Sequence, residues 1–366
     1  MIQRKIFGFG VLAMLFLMPM AMNAQKGVKI QTVVIDAGHG GKDSGALGKV
    51  TTEKAVNLAV ALKLGNYIKE NLPDVKVVYT REKDKFVELS ERAAIANRNS
   101  ADVFISIHCN SSENPNTAKG AETFVMGESK NEANLNVAKK ENASILLEDN
   151  TDAYDNFNPN STEAYILFSL SQSVFQKQSL QLADKVQQQF STKAGRSNRG
   201  VQQAGFLVLW KTSMPSILVE LGFINNVKEE EFLASEKGQK TMALALYRAF
   251  EEYKKEYESD NKADNESTAV EKPASSENKD TYFTVQFATL NKKVPISDKA
   301  FKKIKDVNVY EYKGAYRYTS GHFNTKEAAD ARQKEVVELG YKDAFVIAFV
   351  NGERVSVKEA EKALKK

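Results

Sequence analysis

Two of the three histidines in this sequence closely follow short apolar runs. His39 comes after the run at residues 33–37, and His108 comes after residues 104–107. Such runs are typical of buried parallel strands, and open α/β sheets gather reactive groups at the carboxyl ends of those strands. We therefore expect the two imidazoles to share one site.

Two carboxylates could complete a hydrolytic metal centre there. Glu53 precedes a helix-like stretch, and Glu220 lies in the apolar run at residues 217–223. A zinc ion that performs hydrolysis takes three protein ligands and one water, and imidazole and carboxylate are common ligands. Our predicted ligands are His39, Glu53 and His108. Glu220 would then take a proton from the attacking water and pass it to the leaving amine.

Each of these residues also has a structural explanation that the sequence alone leaves open. A strand-end histidine can be a hydrogen-bonded structural residue, and the helix dipole favours a carboxylate such as Glu53 in a first helical turn. Glu220 could lie at the rim of a cleft, although its neighbours are strongly apolar. Asp36 precedes His39 on the same predicted strand, and we expect it to orient a ligand.

Other chemistries find less support in the sequence. The glycines within residues 38–48 resemble a phosphate-binding loop, but neither G-x-G-x-x-G nor G-x-x-x-x-G-K-[ST] is present. Cys109 follows His108 directly, so strand alternation points its thiol to the opposite side, and we predict a buried core cysteine. His322 is predicted to be a surface turn residue in a separate domain.

Composition limits the remaining classes of function. The chain has 366 residues, of which 42% are hydrophobic, and a formal net charge of +4. This length predicts two or three domains with sizeable cores. Lys and Glu are interleaved without an arginine stripe or aromatic-basic alternation, so we predict no binding to nucleic acid. A single cysteine excludes an intramolecular disulfide.

Residues 1–24 are typical of a secretory signal peptide. A basic start with Arg4 and Lys5 is followed by an apolar stretch to about Met22 and by the small residue Ala24. This pattern predicts export with cleavage after Ala24. Because Met22 is large for its position before the cleavage site, an uncleaved anchor is the alternative.

Strand-like and helix-like runs alternate through the predicted catalytic domain, residues 25–258. This alternation predicts an α/β fold with a mostly parallel sheet covered by helices on both faces. The predicted strands are residues 30–35, 75–80, 103–107, 122–126, 206–210 and 216–221, and the predicted helices are residues 56–70, 89–99, 179–190 and 238–257. Residues 127–176 interrupt this rhythm as a polar insertion with helical patches at residues 138–147 and 164–175.

The remaining sequence predicts a linker and a small second domain. Residues 259–280 contain almost no large apolar side chain, which is typical of a disordered linker. Residues 281–350 follow a βαββαβ order that predicts a ferredoxin-like, split-βαβ domain, and residues 351–366 are predicted to be a tail. The predicted elements are strands at 282–288, 307–312, 315–319 and 344–349, with helices at 297–305 and 326–339.

Residues 30–255 resemble the zinc-dependent N-acetylmuramoyl-L-alanine amidases, which are bacterial cell-wall hydrolases. The resemblance is carried by ordered blocks: residues 34–41; Glu53 and Lys54 with Asn57 and Leu58; Thr80 and Arg81; Leu89, Arg92, Ala96 and Asn97; Ala101 and Asp102; residues 105–108 with Asn110; Met214 and Pro215; and residues 219–223 with Asn225 or Asn226. It implies zinc ligation by His39, Glu53 and His108 and catalysis by Glu220. The implied reaction is cleavage of the amide between N-acetylmuramic acid and the stem peptide's L-alanine.

The same resemblance gives the insertion a predicted role. In division-associated members of the family, an insertion at the position of residues 127–176 carries a helix that blocks the metal until a protein activator binds. We predict autoinhibition here, with Glu141, Glu148 or Glu163 reaching the zinc, because the segment is acidic and leaves the chain beside the site. A passive surface excursion is the alternative.

Residues 281–350 resemble a SPOR domain, a module that binds glycan strands stripped of stem peptides. The supporting residues are 283–287, 316–318, Gly321, Phe323, Ala328 and 340–346. The resemblance predicts peptidoglycan as a ligand as well as the substrate, and Gln286 is our candidate glycan contact. Together these features predict a periplasmic zinc amidase that acts at the division septum in cell separation. The alternatives are another zinc peptidoglycan hydrolase, such as a peptidase or deacetylase, and a non-catalytic wall-binding or activator protein.

Overall fold

The computed structural model describes residues 29–129, 131–149, 151, 154, 175–267, 281–290, 293–298, 301–312, 315–341 and 344–364, with side chains omitted for 261–267. The predicted signal peptide, the helical patch at 164–174 and Glu163 lie outside these ranges. Within the described ranges, no helix has both the length and the apolar content needed to cross a lipid bilayer.

The first sheet is mostly parallel, as predicted. Its strands are β1 (Thr32–Ala37), β2 (Lys76–Tyr79), β3 (Val103–Asn110), β4 (Ala121–Met126), β5 (Asn198–Ala204) and β6 (Ser216–Phe223), in the order β2-β1-β3-β6-β4-β5. Strands β2, β1, β3 and β6 run parallel to one another, and β4 pairs antiparallel with β6. The carboxyl ends of β1 and β3 therefore lie side by side, which brings His39 close to His108.

Helices cover both faces of this sheet. One face packs against α1 (Glu53–Asn71), α4 (Gln176–Thr192), α6 (Val227–Ala234) and α7 (Glu236–Ser267). The other face packs against α2 (Leu89–Arg98), α3 (Glu132–Asn142), the 3₁₀ helix Ala143–Leu147 and α5 (Leu207–Trp210). Strand alternation produces this division: Val33 and Ile35 belong to the first core cluster, and Val34 belongs to the second.

One predicted strand is wrong. Residues 207–210 form the short helix α5 rather than a strand, and the sixth strand of the sheet is β5, shortly before it. β5 is an edge strand with the polar sequence Asn-Arg-Gly-Val-Gln-Gln-Ala, so it lacks the apolar pattern of the central strands. The apolar run after it is buried as a helix, with Leu207, Val208 and Leu209 almost fully enclosed.

The second sheet is antiparallel and has helices on one face. Its strands are β7 (Thr281–Leu290), β8 (Val307–Tyr312), β9 (Ala315–Phe323), β10 (Phe345–Val350) and β11 (Glu353–Val355), in the order β11-β10-β7-β9-β8. Helices α8 (Lys326–Glu338) and α9 (Val357–Leu364) pack on it. Residues 299 and 300 lie outside the described ranges, but residues 297, 298 and 302–305 form turns, bends and irregular chain, so the predicted helix does not extend over 297–305. The assignment as a SPOR domain stays a prediction.

The boundaries of the predicted linker and tail differ from the structure. Helix α7 continues to Ser267, through the first nine residues of the predicted linker. The predicted tail forms β11 and α9, and Ala360 is buried in the core of the second sheet. Asn351 and Gly352 both have positive φ angles, which is the geometry of a type I′ hairpin turn between β10 and β11. This Asn-Gly pair directly after the apolar run at residues 345–350 is the sequence signal that our prediction missed.

Candidate metal centre

Four buried side chains meet at the carboxyl ends of β1 and β3. The imidazoles of His39 and His108 and the carboxylates of Glu53 and Glu141 each offer a ligand atom, and these atoms all lie within 4.8 Å of one another. Glu53 Oε1 is 3.1 Å from His39 Nε2 and 3.1 Å from His108 Nδ1. Glu141 Oε2 is 3.1 Å from His39 Nε2 and 2.7 Å from His108 Nδ1. The structure thus brings the three predicted ligands together and adds Glu141 from the insertion.

The turn that presents His39 depends on Gly38 and on two buried arginines. A Cβ on Gly38 would lie 2.3 Å from the His108 ring, so only glycine fits between the two imidazoles. His39 has a φ of 60°, in the left-handed region that costs energy for a residue with a Cβ. Arg92 donates to the carbonyls of Ala37 and His39, while Arg81 donates to those of Ala37 and Gly38. These bonds hold the strained turn in place.

Asp43, rather than Asp36, orients a predicted ligand. His39 Nδ1 lies 2.8 Å from Asp43 Oδ2, so a proton on Nδ1 leaves the Nε2 lone pair facing the other ligand atoms. The predicted role of Asp36 is not seen. Its carboxylate instead accepts hydrogen bonds from Thr80, Ser106 and Arg92. Asp43 follows His39 by four residues, a spacing that our sequence analysis overlooked.

The electrostatics of the centre favour a cation. Burial alone would lower the pKa of His39, but the carboxylates of Glu53, Asp43 and Glu141 raise it well above its usual value. The pKa of His108 is raised to about 9, because Glu141 and Glu53 outweigh the effect of burial. Two imidazoles held among buried carboxylates therefore attract positive charge, whether as protons or as a metal ion.

The donor set and its spacing fit a zinc-sized ion. His39 Nε2 and Glu141 Oε2 are buried and lie 2.7 to 3.1 Å from the other atoms of the cluster, but neither makes a well-aligned hydrogen bond among the described residues. In tetrahedral zinc sites with bonds of 2.0–2.1 Å, neighbouring ligand atoms are about 3.3 Å apart. The separations of 2.7 to 3.1 Å between carboxylate oxygens and ring nitrogens are close to this value. Metal ligation would satisfy both atoms, which lack a well-aligned hydrogen bond.

Glu220 lies beside this cluster on the next strand. It is fully buried, and the β3–β6 register places it opposite His108. Neither of its carboxylate oxygens has a hydrogen-bond partner in the described part of the chain. Burial, with the negative charges of Glu141 and Glu53, raises the pKa of Glu220 well above its usual value. A carboxylate with so high a proton affinity is suited to general-base catalysis.

Comparison with known proteins identifies the group to which this chain is related. The Amidase_3 family, described as N-acetylmuramoyl-L-alanine amidase, matches residues 33–252, which include all the residues of the centre. The chain belongs to this family. This match confirms the predicted family resemblance. It does not identify the metal.

Individual members of the N-acetylmuramoyl-L-alanine amidase family are about a third identical to this chain over the aligned residues. The amidase AmiA of Escherichia coli is 33% identical over 61% of this chain and 76% of its own length. The amidase AmiC of Escherichia coli is 34% identical over 60% of this chain, but the match spans only 52% of AmiC. The solved structure of amidase AmiC2 of Nostoc punctiforme is 31% identical, covers 62% of this chain and 98% of AmiC2, and has a TM-score of 0.45.

Other residues selected from the sequence lie outside the centre. Cys109 is fully buried in the first core cluster, as predicted. Gln286 lies on β7 of the second sheet, where it is buried and bonded to Thr289 and Tyr310. His322 lies on strand β9, rather than in the predicted turn, and stacks on Tyr282 with ring centroids 3.9 Å apart.

Replacing Asp43 with asparagine should weaken metal binding about 10- to 100-fold, because a neutral amide oxygen is a weaker acceptor for the His39 Nδ1 proton than a carboxylate and makes the ring less basic. Competition with a zinc chelator measures this affinity directly on the purified protein. Asp184→Asn, at an exposed carboxylate on α4, is the matched control and should leave the affinity unchanged. Equal affinities of Asp43→Asn and wild type would exclude the orienting role.

Proposed function

We propose that this protein hydrolyses the amide between N-acetylmuramic acid and L-alanine in peptidoglycan, using zinc. The observation that carries the proposal is the meeting of His39, Glu53 and His108 with the unpartnered carboxylate of Glu220 beside them. Membership of the N-acetylmuramoyl-L-alanine amidase family and the names of AmiA and AmiC support this choice of bond.

His39, Glu53 and His108 would hold the zinc, with Asp43 fixing the ring of His39. When bound, zinc would supply Lewis acidity that polarises the scissile carbonyl and makes a water more acidic. Glu220 would take the proton from the attacking water. It would then deliver the proton to the amine of L-alanine as the carbon–nitrogen bond breaks, so no covalent bond to the protein is needed.

With zinc bound by the other three residues, Glu141 would take the position that a substrate or water needs. A catalytic zinc site keeps one of its four positions free of protein ligands, and here the fourth donor comes from α3 of the insertion. We infer that this state is autoinhibited. Of the other two predicted candidates, Glu148 accepts from Leu89 N and the Tyr154 hydroxyl instead, and Glu163 lies outside the described residues.

Several further contacts hold the insertion over the centre. Ser144 donates to Asp43 Oδ2 at 2.6 Å, so the insertion bonds the same carboxylate that orients His39. Asn142 donates to the carbonyl of Gly205 and accepts from the amide of Leu207, both beside α5. A protein activator that binds the insertion and breaks these contacts would open the fourth position.

The C-terminal sheet would keep the enzyme at the wall. If it is a glycan-binding SPOR domain, its attachment to the catalytic domain raises the local concentration of catalytic domain at a wall that the module already holds. Export by the predicted signal peptide would place the enzyme in the periplasm. Denuded glycan at the division septum would then direct it to daughter-cell separation.

Analysis of the released muropeptides tests the bond and the metal together. The purified protein should release stem peptides with free L-alanine amino groups and leave muramic acid intact, as seen by mass spectrometry. A chelator should abolish this release, and added zinc should restore it. Peptides shortened within the stem, or deacetylated sugars, would instead support a peptidase or a deacetylase.

A further inference from the structure

The two faces of the C-terminal sheet have different neighbours. Phe283 and Val285 on β7 pack with Ala329, Val336 and Ala360 of the two helices. Side chains that alternate with this core along β7, β9 and β10 lie on the opposite face. We call this opposite face the outer face and define it by Thr284, Gln286, Arg317, Thr319, Ile347 and Phe349.

The outer face is buried although the described helices of this module pack on the other side. Ile347 is 0% exposed, Gln286 is 1% exposed and Arg317 is 3% exposed. An antiparallel sheet with helices on one face commonly leaves its second face in water. Burial of an isoleucine and an arginine there requires a cover from elsewhere in the chain.

The catalytic domain supplies this cover. Arg317 Nη2 donates to the carbonyl of Ser213, which precedes β6, at 3.2 Å. The Arg317 guanidinium also lies 5.9 Å from the ring centroid of Phe175 of the catalytic domain. On its own sheet, it lies 4.9 Å from the ring centroid of Tyr312 on β8. Residues of α2 pack against β10.

The contact with the catalytic domain leaves one hydrogen-bond donor of Arg317 unused, so a ligand with more acceptors can replace the catalytic domain on this face. Arg317 Nε is buried without a hydrogen-bond partner among the described residues, and burial lowers the pKa of Arg317 to about 10. A buried guanidinium without a full set of hydrogen bonds keeps part of its desolvation cost. A ligand rich in hydroxyl and carbonyl oxygens would give Arg317 more acceptors than the single carbonyl of Ser213 does.

We propose that the outer face is a docking surface that the catalytic domain and a wall glycan strand occupy in turn. In the docked state the catalytic domain covers the face, and the glycan must displace it to bind. The docking rests on the contacts above, whereas the choice of glycan as the competitor rests on the proposed function. Phe175 lies within the insertion, and α2 contacts the insertion through Leu89 and Ser90, so glycan binding would also remove a support from it.

Phe175→Lys tests the docking from the catalytic side. The substitution places a second cation against Arg317 and leaves every residue of the outer face unchanged. Small-angle scattering of the full chain should show a larger radius of gyration than wild type. If docked molecules outnumber open ones by about ten to one, binding to glycan strands freed of stem peptides should tighten about tenfold. Gln181→Lys adds the same charge at an exposed position of α4 and should change neither measurement.

The wild-type chain provides a second measurement that does not depend on the variant folding. Adding glycan strands freed of stem peptides should expand it in the same scattering experiment. An unchanged radius for a folded Phe175→Lys protein would overturn the docking. An expanded variant that binds glycan no better than wild type would overturn the competition. If neither protein binds glycan, the proposed wall ligand is wrong while the scattering still decides the docking.

Discussion

Glu220→Gln should reduce the release of stem peptides from purified peptidoglycan about 10²- to 10⁴-fold. The amide has almost the same shape as the carboxylate but cannot accept a proton from water. Glu220 is outside the four-residue ligand cluster, so zinc content, measured by elemental mass spectrometry, should stay at the wild-type level. Retention of wall digestion by this variant would remove Glu220 from the mechanism.

Glu122→Gln is the matched control for this experiment. Glu122 lies directly opposite Glu220 in the β4–β6 pair and is also buried, but it is bonded to Asn110 and Arg199. Changing it removes a buried negative charge from the same sheet without removing the proposed base. We expect a loss of activity far smaller than that of Glu220→Gln. Equal losses would show that any charge change in this sheet disables the enzyme.

Glu141→Ala should increase the rate of wall digestion. The substitution removes the fourth donor from the centre and leaves the three predicted ligands in place. If the blocked form outnumbers the open form by about ten to one, the gain approaches tenfold. The remaining contacts of Ser144 and Asn142 still hold the insertion, so deletion of residues 131–163 should increase the rate further. Muropeptide release by the three proteins, at equal zinc content, measures both effects.

Glu132→Ala is the control on the same helix. Glu132 is exposed in the first turn of α3, so its loss tests whether any acidic residue of the insertion affects the rate. We expect wild-type activity from it. A folded deletion protein that digests peptidoglycan no faster than wild type would mean that the insertion is a passive surface excursion.

The sequence was sufficient to predict that His39, Glu53 and His108 lie together and to recognise the family. Apolar runs of strand length before His39 and His108 reflect burial on both sheet faces, and the strand-end rule then places both side chains at one edge. The same rule could not predict edge strand β5, which has no apolar run. It has one neighbouring strand and a polar composition, so its pairing depends on β4 rather than on its own apolar pattern.

The tertiary structure decided the contacts that join distant segments. Which of three acidic residues reaches the centre follows from how α3 packs on the sheet, and the sequence of the insertion contains no periodic signal for that choice. Asp43, rather than Asp36, meets His39 because the glycine-rich turn reverses the chain after β1. The cover on the outer face likewise involves residues more than 100 positions apart, such as Ser213 and Arg317. Periodicity reports how each segment is buried, but not which segment buries it, because that depends on the packing of the whole chain.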